Sequence, residues 1–171
     1  FSTFAKSNPT IGAFLAGDKD IIRFLKYNMR SQIFAKSLPM PFVTSARKRL
    51  QMLRTMPELK ERLWQNVNAL QSGLKERGFD IGNTNSCVTP VYMNGSVEEA
   101  MVLVKDMREN YRIFSSIVVY PVIPKGMILL RLIPTSVHTM EDINETLEAF
   151  TAISEKLEKG VYKEHAAAIK A

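Results

Sequence analysis

Lys6 closes a short β-rich run, Phe1-Ser2-Thr3-Phe4, and is followed by a hydroxyl residue, Ser7, with the breakers Pro9 and Gly12 beyond. An amine on a flexible stem, just past the end of a strand, is placed to meet a ligand at the mouth of a sheet. Such an amine can form a Schiff base with an aldehyde. The ordinary alternative is a solvated surface charge, the usual state of lysine. Thr3 offers a hydroxyl that can donate a hydrogen bond, or is simply a strand residue. Arg131 lies between Leu130 and Leu132. A guanidinium among such neighbours needs an anionic partner or an exposed face. Its planar fork can hold a carboxylate through two hydrogen bonds; an edge-strand arginine directed to water is the alternative. His138 reads as structural and His165 as solvated, and no metal-ligand spacing occurs.

The elements that must position these groups follow from pattern. Gly12 to Ala16 reads as a short buried strand, apolar on both faces. Asp18 is a candidate N-cap for a helix from Lys19 to about Asn28. Pro39 and Pro41 bound a connection and sit well in the first turn of a helix running to Arg54. Pro57 starts another, closed by Gly78, with Leu59, Leu63, Val67, Leu70 and Leu74 as its apolar stripe. Strands are expected over 88–93, 112–120 and 127–133. Ser96 with Glu99 forms a capping box for a helix to about Asn110. Thr139 caps a last helix from Met140 to about Lys159, with Ile143, Leu147, Phe150 and Ile153 inward. Helix, strand, helix, strand, strand, helix implies a small α+β domain with an antiparallel sheet.

The chain has 171 residues, 46% hydrophobic and 23% charged, the make-up of a globular protein. Its net charge of +6 is moderate and includes a cluster at Arg47-Lys48-Arg49. This favours a solvated face, with a lesser option on anionic partners such as phosphate-bearing cofactors, and gives no signal for nucleic acid. A single cysteine, Cys87, excludes an intrachain disulfide and suits a reducing, cytoplasmic setting. No run approaches the ~18 apolar residues of a membrane span. Because the first residue is Phe1 and the chain opens in mid-strand, a fragment or processed product is expected.

Thr3-Phe4-Ala5-Lys6-Ser7, with Ile11-Gly12-Ala13-Phe14-Leu15-Ala16-Gly17-Asp18, resembles the cofactor-lysine segment of the α-oxoamine synthases. This family of pyridoxal-phosphate enzymes includes serine palmitoyltransferase and aminooxononanoate synthase. The similarity continues through 30–39, returns at Leu129-Leu130-Arg131-Leu132, and ends in Val137-His138-Thr139 before an acidic helix. The resemblance implies the end of an aminotransferase-like (fold type I) large domain over residues 1–56 and a C-terminal small domain over 57–171. It implies pyridoxal 5'-phosphate as cofactor, Lys6 as its covalent attachment point and proton shuttle, and Thr3 with Ser37 at its phosphate. Arg131 is implied to hold the amino-acid carboxylate. Phe34-Ala35-Lys36-Ser37-Leu38-Pro39 resembles a loop that in the family reaches the cofactor phosphate of the other subunit. Here Ala35 and Lys36 replace two hydroxyl positions, and Ala5 replaces a serine. Lys36 is either a point charge for the phosphate or a solvated loop lysine.

The reading is the C-terminal part of an acyltransferase that condenses a small amino acid, serine preferred, with an acyl-CoA and releases carbon dioxide and CoA. A homodimer is implied, and the fragment alone is expected to be inactive. The rival is a non-catalytic dimerisation or binding module with an aminotransferase-like fold, whose basic helix Arg47–Arg54 contacts an anionic partner.

Overall fold

The computed structural model describes residues 1–6 and 9–170, the side chains of 169 and 170 excepted. Ser7 lies outside the described residues. The chain forms two compact units, Phe1–Pro57 and Glu58–Ala171.

In the first unit, β1 (Ser2–Thr3) pairs antiparallel with β2 (Ala13–Phe14), Thr3 opposite Ala13. The expected buried strand over 12–16 is thus only two residues long, and both are exposed. Its apolar letters serve a hairpin, with Phe4 stacked on Phe14 at a centroid distance of 5.8 Å. Helix α1 (Lys19–Asn28) follows with the expected bounds. A single turn, α2 (Arg30–Ile33), was not expected. A loop over 34–39 leads to α3 (Met40–Thr55), which has Pro41 in its first turn.

The second unit holds the core. Helix α4 (Pro57–Glu76) buries Val67, Leu70 and Leu74, the later part of its predicted stripe, while Leu59 and Leu63 are only half-buried. The strands β3 (Thr89–Asn94), β4 (Ser116–Val118) and β5 (Met127–Leu132) form an antiparallel sheet in the order β3-β5-β4. The strand expected over 112–120 is shorter. Arg112 instead closes α5 (Val97–Tyr111) in the left-handed conformation, with φ of 58°. Ser96 and Glu99 form the expected capping box, and Thr139 with Asp142 forms a second one ahead of α6 (Met140–Glu158). Each box satisfies backbone donors that the helix itself leaves unpaired.

Leu103 and Met107 of α5, Leu130 of β5, and Phe150 and Ile153 of α6 are almost fully buried. Phe79 meets Phe150 edge-on at 5.1 Å. Helix α7 (Val161–Lys170), which lies beyond the last helix expected from the sequence, inserts Tyr162 and Ala166 into this unit. Among the described residues, no helix is long and apolar enough to cross a membrane.

Candidate functional site

In the first unit, Lys6 lies past the end of β1 in the turn of the hairpin, and its side chain is exposed. Among the described residues it forms no ion pair. Backbone bonds shape the turn: Thr10 N–H donates to the Phe4 carbonyl at 3.1 Å, and Phe4 N–H to the Gly12 carbonyl at 2.9 Å. Thr3, on β1, is exposed and presents a hydroxyl. Thr10 was overlooked in the sequence. Its Oγ1 is buried and has no hydrogen-bond partner among the described residues. A threonine beside a turn carries no spacing signal, so its burial emerges only from the fold.

The loop over 34–39 is seated on this hairpin. Gly12 has a φ of +125°, a conformation that side-chain-bearing residues rarely adopt. A Cβ built there would meet Leu38 Cδ1 and a Phe4 ring carbon, each at 2.9 Å. Glycine therefore allows Leu38 to pack where no larger residue could stand. The loop hydroxyl of Ser37 and the ammonium of Lys36 are both exposed beside that seat. The first unit thus carries an amine, two exposed hydroxyls and a second cation. Chemically, such a set can bond an aldehyde and donate to an oxyanion.

Arg131 belongs to the second unit. It sits in β5, the central strand and not an edge, between Pro90 of β3 and Ser116 of β4 in register. Leu130 and Leu132 face the core, so alternation turns Arg131 to the opposite, exposed face. Its Nε–H donates to Ser116 Oγ at 3.0 Å, which fixes the plane of the guanidinium. Ser116 is a positioning partner that the sequence could not reveal, because it depends on cross-strand register. His138 is structural as expected. Its Nδ1 accepts from the Thr135 N–H at 3.0 Å, and Asn66 Nδ2 donates to the carbonyls of both residues. No group of metal ligands occurs among the described residues.

The signature of the aminotransferase class I and II family matches residues 1–150. The chain belongs to that family. Over 163 residues it is 68% identical to the cysteate-C-fatty acyltransferase of Capnocytophaga ochracea, covering 95% of this chain and 39% of that protein. It is 35% identical to the serine palmitoyltransferase of Sphingobacterium spiritivorum, covering 91% of this chain and 39% of the relative. A high-resolution structure of serine palmitoyltransferase with a PLP internal aldimine superposes with a TM-score of 0.83 at 30% identity, covering 91% of this chain and 39% of that one. These relatives bear out the α-oxoamine synthase resemblance and the aminotransferase-like fold. The chain spans about two fifths of the length of the curated relatives it matches.

Proposed function

We propose that this chain is the C-terminal part of a pyridoxal-phosphate-dependent α-oxoamine synthase that acylates a sulfonated amino acid, cysteate, with a fatty acyl-CoA. The observation that carries this reading is the 68% identity to a cysteate-C-fatty acyltransferase across nearly the whole chain. Serine, the substrate preferred from the sequence resemblance, is the second reading; the 35% identity to a serine palmitoyltransferase favours it less. Residues 1–56 are the end of the cofactor domain, and 57–171 the small domain. The working form is a homodimer.

The described residues suit the cofactor. Among the described residues Lys6 is an exposed amine without an ion pair, and Thr10 has a buried hydroxyl without a hydrogen-bond partner. When bound, pyridoxal phosphate supplies an electron sink for the amino-acid α-carbon. Lys6 holds the cofactor aldehyde and then carries a proton to and from that carbon. Thr3 and Ser37 donate hydrogen bonds to the phosphate. Arg131, oriented by Ser116, grips the carboxylate that leaves as carbon dioxide. Overall, a carbon–carbon bond forms between the α-carbon and the thioester carbonyl, and the CoA thiol departs.

The test uses the full-length protein. With pyridoxal phosphate it should turn yellow, and borohydride should bleach the visible band and leave a reduced adduct on the peptide containing Lys6. Lys6→Ala should abolish the adduct and lower turnover by about a hundred- to ten-thousandfold, the scale of a lost acid–base group. A Lys6→Ala protein that keeps the adduct rejects the assignment. A full-length protein that stays colourless rejects the enzymatic reading and leaves a binding module.

A further inference from the structure

Charge is unevenly divided along the chain. Residues 1–57 contain ten Lys or Arg and only two acids, Asp18 and Asp20, for a net of +8, although the whole chain is only +6. From Ile21 to Pro57 there is no Asp or Glu at all. Lys36 lies in the middle of this acid-free stretch. It is exposed, has no ion-pair partner among the described residues, and stands two positions before Leu38, whose Cδ1 lies over the Cβ-free side of Gly12. That approach places the Lys36 loop beside the hairpin that carries Lys6. An unpaired cation on that loop, in a unit with almost no competing carboxylates, is built to receive an anion.

We propose that Lys36 recognises the sulfonate of the amino-acid substrate and so selects a sulfonated side chain over a neutral one. The assignment rests on the function proposed above. A sulfonate is fully ionised at neutral pH and spreads its charge over three oxygens. A primary ammonium meets it as a compact point charge with three rotatable donors. A hydroxymethyl side chain offers no charge to such a group. In open water the pair is worth little. Inside a closed site the same attraction grows as the effective dielectric constant falls. The surplus of positive charge around the loop also favours arrival of the more anionic substrate.

The experiment compares full-length wild type with Lys36→Met and Lys36→Arg, using L-cysteate and L-serine as amino-acid substrates and titrating pyridoxal phosphate by its visible band. In Lys36→Met the KM for cysteate should rise about ten- to a hundredfold, the scale of a lost contact to a charged group. Its kcat and its affinity for pyridoxal phosphate should be unchanged, and its KM for serine unchanged or lower. Lys36→Arg should retain most of the discrimination. The retained cofactor band shows that the variant is folded. A cysteate KM that does not move rejects the assignment. Loss of cofactor affinity with both amino acids affected alike also rejects it, and gives Lys36 to the cofactor phosphate. A wild-type enzyme that acylates serine and ignores cysteate rejects the substrate reading itself, before any variant is made, and the sulfonate assignment with it.

Discussion

The two units use similar helices to different ends. In the first, α1 and α3 bury no side chain. Ile21, Phe24 and Tyr27 on α1, and Val43, Leu50 and Leu53 on α3, are exposed. Asp18 makes no side-chain cap bond to α1. In the second unit, α5 and α6 each start with a complete capping box and bury apolar residues, and α4 buries the later part of its stripe. Helices of this length gain most of their stability from packing an apolar face. The second unit therefore carries its own reason to fold. The first carries the candidate site, and its helices are not closed by a core within the same unit.

The sharpest way to break this contrast is to separate the units. Residues 58–171 alone should retain helical circular dichroism and unfold in urea in one cooperative step. Residues 1–57 alone should show no cooperative transition. A cooperative first unit would erase the distinction.

Next in size are substitutions in the second core. Phe150→Ala should cost about 3–5 kcal/mol in urea unfolding, the scale for a fully buried aromatic. Gly73→Val should cost about 1–3 kcal/mol, because a Cβ there would drive into Leu147, with Cδ2 only 2.7 Å away. Gly17→Ala, in the first unit, has nothing within 4 Å of the added carbon and should be close to neutral.

A polar clamp fastens α7. Asp106 accepts from Lys156 Nζ at 2.7 Å, from Tyr162 Oη at 2.7 Å and from Asn110 Nδ2 at 2.6 Å. Burial pushes the Asp106 carboxyl up, but these donors outweigh it and hold it below its ordinary value of 3.8. Burial, then the Asp106 carboxylate, pushes the Tyr162 phenol well above its ordinary value of 10.0. The Asp106 hydrogen bond raises Lys156 above 10.5. A lowered carboxylate stabilises the fold above its unfolded pKa, and that support is lost as pH falls through the folded value. The raised phenol and ammonium act the other way: their support is complete below their unfolded values and fades as pH rises through the folded ones. The clamp should therefore be strongest between the ordinary values of Asp106 and Tyr162, 3.8 and 10.0. Tyr162→Phe should cost about 1–3 kcal/mol at neutral pH, the scale of a buried hydrogen bond to a charged group. Asp106→Asn should flatten the acid limb of the stability–pH curve.

Legibility in the sequence followed the same divide. Wherever local chemistry and burial agree, as at Ser96 with Glu99, Thr139 with Asp142, and the Ile143–Ile153 stripe, the second unit could be read directly from its residues. Helix α7 escaped because alanines carry no amphipathic signal, while its anchor, Tyr162, depends on a carboxylate 56 positions away. Arg112 looked like the start of a strand because a left-handed arginine leaves no mark on composition. In the first unit Lys6, Thr3 and Ser37 were noticed through resemblance to a family motif. Thr10 and the seat of Leu38 on Gly12 required coordinates, since both arise from chain segments meeting across the hairpin.

The carbon-free side of Gly12 has a mechanical consequence. Leu38 of the loop rests on a spot that a side chain at position 12 would occupy. A larger residue there would push the loop and the hairpin apart, so the smallest residue in the alphabet sets how closely the two can approach.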